Sequence, residues 1–265
     1  MKKIVLLAIF SVWTAELHEL HAVESKKTSF SSPSLAGGVV RSEKWIIRRD
    51  KGEEEFEGNV SYNQGGHQFK ADWALYRKNL GRWDAKKNIY GSRLWPDGSR
   101  TQCYGDSAEF FQESLPDGRQ AGGRSIVYAG ESLRVKLIHE EPSYGIWNSL
   151  SDKAVLEQKN STLHLSGNVF FTREDMQSWS DTAIYDNLSS TLFLTGGPPV
   201  MTGIRNKYDL AMQAESITLL RYPEKITGRG NVRGWVRRAQ KPTGETANGR
   251  TGESARKSES EKVKK

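Results

Sequence analysis

Residues 151–169 read Ser151-Asp152-Lys153-Ala154-Val155-Leu156-Glu157-Gln158-Lys159-Asn160-Ser161-Thr162-Leu163-His164-Leu165-Ser166-Gly167-Asn168-Val169. Asp152, Ala154 and Leu156 occupy every second position, as do Leu163 and Leu165 after a polar turn. A period of two sends alternate side chains to opposite faces of a strand, so the segment reads as a β-hairpin with one apolar face. Gly167-Asn168 closes it with two residue types that adopt positive φ cheaply, the chemistry of a bulge or corner.

The pattern recurs. A shift of 29 residues gives Asp181, Ala183 and Tyr185, then Thr191, Leu192, Leu194, Thr195 and Gly196. A third copy runs through Glu215, Ile217 and Leu219, with Gly230 again 15 residues after the acid. Gly-Asn-Val stands at 58–60, 167–169 and 230–232. Asp72, Ala74 and Tyr76 follow Gly58 at +14, +16 and +18, the offsets at which Asp181, Ala183 and Tyr185 follow Gly167. Looser copies are Asp106, Ala108, Phe110 and Glu131, Leu133, Val135. Self-similarity at a fixed period marks a stacked-repeat architecture in which neighbouring units share one core.

No stretch sustains a 3.6-residue apolar period, so the chain is expected to be all-β and antiparallel. Lys2 and Lys3 ahead of the apolar run Ile4–Trp13 read as a secretory signal, residues 1–22, cleaved near Ala22. A span needs about 20 apolar residues, more than this run supplies. Residues 23–44, rich in Ser, Gly and Pro, read as a flexible leader, 45–236 as the repeats and 237–265 as a disordered basic tail.

The formal charge of +7 is concentrated in that tail, where nine Lys and Arg stand against four Glu. The repeat body is nearly neutral, so nucleic acid is not an expected partner. The single Cys103 excludes an internal disulfide and a multi-cysteine zinc site, and no cofactor is expected. No pair among His18, His21, His67, His139 and His164 has metal-ligand spacing, and His164, between Leu163 and Leu165, falls on the outer face. The acids recur in every unit, whereas glycoside cleavage needs one carboxylate pair, so they read as structural and the chain as non-enzymatic.

These residues resemble the OstA-like (LptA-type) family of periplasmic lipopolysaccharide-transport proteins, whose units take the form acid-x-Ala-x-Tyr, a short turn, then Thr-Leu-x-Leu-Ser/Thr-Gly-Asn-Val. Ser151–Val169 is the nearest match, followed by Asp181–Pro198 and Phe56–Tyr76, and residues 91–150 fit least well. The resemblance implies a folded-over antiparallel sheet, a β-jellyroll open along one edge. It also implies a periplasmic carrier or bridge that shields lipopolysaccharide acyl chains on their way to the outer membrane. Partners would then be other lipopolysaccharide-transport proteins and further copies of this chain, joined by edge-strand pairing.

By parity the inward face carries Ala74, Tyr76, Ala108, Phe110, Leu133, Val135, Ala154 and Leu156, then Leu163, Leu165, Ala183, Tyr185, Leu192, Leu194, Ile217 and Leu219. From the residues alone this face is either a closed sandwich core or a lipid groove. The frequent Ala, which leaves space that Leu would fill, and the resemblance both point to the groove. The alternative is an envelope scaffold that stacks on partners without binding lipid.

Overall fold

The computed structural model describes residues 29–31, 39–114, 120–142, 145–205, 208–221 and 224–238. The expected signal and basic tail lie outside the described residues, apart from Arg237 and Arg238 at the tail's start. Among the described residues, apart from one 3-10 turn, Lys78–Leu80, every regular element is a strand. Six long strands are bent: β4 (Glu53–Gln64), β5 (His67–Arg77), β6 (Arg82–Leu94), β7 (Arg100–Ser114), β12 (Thr162–Arg173) and β13 (Met176–Asp186). Six pairs of short strands do the same work in two pieces. They are β2 (Val39–Arg41) with β3 (Lys44–Arg48), β8 (Gln120–Ala129) with β9 (Val135–Glu141), and β10 (Gly145–Ser151) with β11 (Lys153–Glu157). The remaining pairs are β14 (Thr191–Thr195) with β15 (Val200–Arg205), β16 (Tyr208–Gln213) with β17 (Ser216–Leu220), and β18 (Lys225–Arg229) with β19 (Arg233–Arg238). A short β1 (Ser29–Ser31) pairs with β2.

The antiparallel pairings resolve into two walls. The first runs β3-β4-β5-β6-β7-β8-β11-β12-β13-β14-β17-β18. The second runs β1-β2-β4-β5-β6-β7-β9-β10-β12-β13-β15-β16-β19. The six bent strands belong to both walls, so the sheet is folded along a line of corners with hairpin turns along both free rims. The molecule is thus an all-β, folded-over antiparallel sheet with its apolar faces turned toward each other.

The corner line explains the repeat. Gly58-Asn59, Gly167-Asn168 and Gly230-Asn231 all have φ between +45° and +78°. The register slips beside the first two, between Glu57 and Val60 and between Ser166 and Val169. Two successive left-handed residues reverse the pleat and turn the chain from one wall to the other. Each acid sits on the neighbouring course facing such a corner. Asp152 Oδ2 accepts from Asn168 Nδ2 at 3.0 Å, Glu215 Oε1 from Asn231 Nδ2 at 2.5 Å, and Glu43 from Asn59. The acid's own amide donates to the corner carbonyls, as from Asp152 to Ser166 and Gly167 at 3.2 and 3.0 Å. Lys87-Asn88 is a Gly-free version of the same corner, and Asn88 Nδ2 donates to Asp72 Oδ2 at 2.7 Å. The acid-to-Gly-Asn spacing therefore records a hydrogen bond between adjacent courses, and the carboxylates are committed to it.

Two expectations change. The sheet reaches into the segment read as a flexible leader: β2 pairs with β4, and Val40 is 2% exposed in the core, burial that offsets the ordering of a Ser/Gly/Pro-rich stretch. In the copy Glu131, Leu133, Val135, Glu131 is not a corner acid. Residues 131–133 form the corner itself, and their amides donate to Asp106 Oδ2 at 2.7, 2.8 and 3.0 Å. Those three bonds hold the Asp106 carboxyl below its ordinary range. Leu133 is consequently 73% exposed, while Val135, the first residue of β9, is fully buried.

Candidate functional site

Cross-strand partners line up along each wall in rows parallel to the corner line. The deep row of the first wall is Phe56, Ala74, Ala85, Ala108, Tyr128, Ala154, Leu165, Ala183, Leu194 and Ile217, each paired with the next. Three alanines in succession leave a hollow beside β5–β7. Further along, Leu165, Leu194 and Ile217 flank Ala183 and fill the space. The row nearer the mouth runs Tyr76, Trp83, Phe110, Ile126, Leu156, Leu163, Tyr185, Leu192 and Leu219. Apart from Leu133, the groove candidates of the sequence belong to or pack against the core between the walls, and Tyr76, 2% exposed, stacks on Trp83 at its mouth.

The second wall matches the hollow with two small residues, Gly91 and Cys103, which stand between Phe69 and Leu137 in one row of successive partners. Gly91 has a specific reason, since a side-chain carbon there would collide with the Tyr128 hydroxyl reaching across from the first wall. The cavity and the solvent space open to it at the rim together span about 960 Å³, and the walls are predominantly apolar. Ala74, Ala85, Ala108, Phe110, Tyr62 and Phe69 contribute, with His67 and Arg93 on the rim. At the mouth Trp83 stacks on Phe56 and Tyr76, with ring centroids 5.7 and 4.7 Å apart, and faces Tyr62 across the gap at 6.3 Å. Burial pushes the Cys103 thiol up to about 12, so it stays protonated and acts as a small apolar side chain.

The C-terminal half closes differently. His139 is fully buried between Trp147 and Tyr185, with ring centroids 5.0 and 5.1 Å away. Burial pulls its pKa down to about 4, so the imidazole is neutral. Trp95 Nε1 donates to Thr101 Oγ1 at 2.7 Å, which leaves the Thr101 hydroxyl proton for His139 Nδ1 at 2.8 Å. The ring proton then sits on Nε2, facing Glu141 Oε1 at 3.7 Å. Several bonds cross from wall to wall. Tyr185 Oη donates to Glu141 Oε1 at 2.9 Å, and Arg221 pairs with Glu141. Asn187 Nδ2, at the end of β13, donates to Asp97 Oδ2 at 3.2 Å in the β6–β7 turn, and Ser99 Oγ lies 3.4 Å from Asn187 Oδ1. Burial works against ionising Asp97, but the bonds from Ser99 and Asn187 outweigh it and hold the carboxyl below its usual range. Beyond these bonds lies a smaller space of about 490 Å³, bordered by Trp147, Tyr185, Leu192 and Leu219 together with Glu141, Arg173 and Arg221.

Sequence reasoning missed this polar cluster. Pro96-Asp97-Gly98 announces a turn, but nothing local places that turn against Asn187, 90 residues after Asp97. Among the described residues no group of three or more His, Cys, Asp or Glu side chains is arranged to hold a metal ion.

No family model matches the sequence, and no curated protein matches it either. Among solved structures the fold is similar to LptH, described as the LptA-homologous periplasmic component of the lipopolysaccharide transport device from Pseudomonas aeruginosa. The TM-score is 0.42 and the identity 12%, over 49% of this chain and 82% of that one.

Proposed function

We propose that this chain is a non-enzymatic periplasmic carrier that shelters lipopolysaccharide acyl chains between its two walls during transport toward the outer membrane. The observation that carries the reading is the hollow made by Ala74, Ala85 and Ala108 opposite Gly91 and Cys103. A soluble domain gains stability by filling its core, so a row of alanines that leaves an apolar hollow beneath an aromatic mouth is the feature a guest explains. Transfer of apolar surface out of water is worth about 25 cal/mol per Å², enough to hold an acyl chain without covalent chemistry. Export through a signal ending near Ala22 belongs to the same reading. So does edge-to-edge pairing with other transport components or further copies through the sides of β3 and β18 that pair with no strand among the described residues.

The test uses two neighbours on β7. Phe110 lines the cavity, whereas Phe111 is 37% exposed on the outer face. A photo-reactive residue at Phe110 should capture lipopolysaccharide and one at Phe111 should not. Equal capture from both, or none from either, would overturn the proposal.

A further inference from the structure

The two spaces between the walls are separated at the mouth by the polar cluster. On the second wall the mouth row runs Arg93, Thr101, His139, Trp147. Arg93 and Thr101 border the large cavity, Trp147 borders the small one, and His139 lies between them. Over this point the β6–β7 turn carries Asp97 and Ser99 to Asn187 on the opposite rim. Tyr185 and Glu141 form the next crossing along the mouth. The wall-to-wall contacts of the deep interior are apolar packing. These two, by contrast, are hydrogen bonds near the rim, made by exposed Asp97 and half-buried Glu141 with the buried Ser99, Asn187 and Tyr185.

We propose that the Asp97–Ser99–Asn187 and Glu141–Tyr185 crossings form a latch on the mouth that confines an apolar chain to the large N-terminal cavity until the turn at 95–99 parts from Asn187. The inference rests on the carrier reading. Three features make the latch a gate. Its bonds join segments far apart in sequence that the corner line does not otherwise tie. The Asn187 contacts, at 3.2 and 3.4 Å, are long. Finally, the apolar mouth row of the first wall runs from Leu156 through Leu163 to Tyr185, itself a member of the latch, so the two spaces adjoin along one row of side chains.

The experiment places a photo-reactive residue at Phe110 in the large cavity or at Leu219 in the small one, in the full chain, with lipopolysaccharide as probe. Each position is compared in the otherwise unchanged protein, in Asn187→Ala, in Tyr185→Phe, which deletes the donor to Glu141, and in the double variant. Capture at Phe110 should be the same throughout. Capture at Leu219 should be low in the parent and rise at least threefold in Asn187→Ala, and further in the double variant. A thermal melt of each variant separates a parted latch from a loosened fold, and Asp97→Ala provides an independent break of the same crossing. Strong capture at Leu219 in the parent, or no rise in any variant, overturns the latch while leaving the carrier reading intact. No capture at Phe110 overturns both.

Discussion

The two halves of the folded sheet are built with the same corners and the same parity, yet one holds the larger hollow and the other is filled along its deep row and keeps only a smaller space. Gly58-Asn59 facing Glu43 and Gly167-Asn168 facing Asp152 are interchangeable in geometry. The difference lies in one row of side chains. Ala74, Ala85 and Ala108 follow one another across β5–β7, whereas Ala183 sits between Leu165 and Leu194 on its neighbours. The mouths differ too, with stacked aromatics over the hollow and hydrogen-bonded polar groups over the filled half. Corners and parity decide that the chain folds over. The volumes along a row decide whether the fold encloses a space.

The strongest way to strain this comparison is acid, because the buried imidazole belongs to the filled half alone. His139 has a folded pKa of about 4, below its ordinary 6.5. Between those values the unfolded chain binds a proton that the folded chain refuses, so stability falls as pH drops from about 6.5 to 4 and levels off below. A shift of this size sets a ceiling of about 3 kcal/mol. Asp97, Glu141 and Arg221 are the charged groups nearest the ring; Asp97, with its lowered pKa, adds a loss in the same direction at lower pH still. Urea unfolding at pH 7, 5.5 and 4 should show the decline, and His139→Gln should flatten it. A parent and variant that fall in parallel would remove His139 from the account.

Next comes a paired substitution that reads volume directly. Ala183→Trp forces an indole into a packed row, for which overpacking typically costs about 1–3 kcal/mol or more. Ala85→Trp places the same ring beside the hollow, where it should cost less than Ala183→Trp and yet abolish lipopolysaccharide capture at Phe110. Thermal melts beside capture decide it. If Ala85→Trp is the more damaging to the fold, the cavity is not available space. Ala183 and Ala85 look alike in a single strand, which is why the sequence alone placed the expected space along the whole inward face.

Removing a corner side chain should instead treat the halves alike. Asn59→Ala and Asn168→Ala each delete the bond to the facing acid and leave a non-glycine residue at positive φ, a loss of about 1–2 kcal/mol apiece. Unequal losses would mean that one corner is supported by something other than the shared hydrogen bond.

What could be read in advance follows from how local each determinant is. The corner pairs were legible because an acid and its Gly-Asn partner recur at fixed offsets, and the inward face was legible because strand parity is local. Leu133 misled because the corner at 131–133 uses three backbone amides in place of an Asn side chain, and amides leave no mark in sequence. The hollow depends on which alanines become cross-strand neighbours, a matter of register among β5, β6 and β7. The Asp97–Asn187 crossing depends on the closing of the whole sheet.

The smallest effect lies on the outer faces, where the halves again differ. The outer side of β3–β7 is laced with ion pairs, among them Arg48 with Glu55 at 2.6 Å and Arg82 Nη2 with Asp84 and Glu109 at 2.7 and 2.9 Å. Beneath them Leu75, paired with Glu55 and Asp84 on its neighbours, is only 8% exposed although it points away from the core. The outer side of β13–β14 carries Ile184 and Phe193 instead, cross-strand partners 37% and 38% exposed. Arg82→Ala should therefore cost about 0.2–1 kcal/mol, the range of surface pairs. Raising the salt to about 1 M, where the screening length falls to roughly 3 Å, should shrink that loss. Phe193→Ala also removes only part-exposed surface, but its loss is apolar and should persist or grow in a strongly excluded salt such as sulfate. Denaturant melts of both variants at low and high salt provide the measurement. An Arg82→Ala loss that is indifferent to salt would show that the stacking of its guanidinium over Phe111, 5.3 Å from the ring centroid, matters more than its ion pairs.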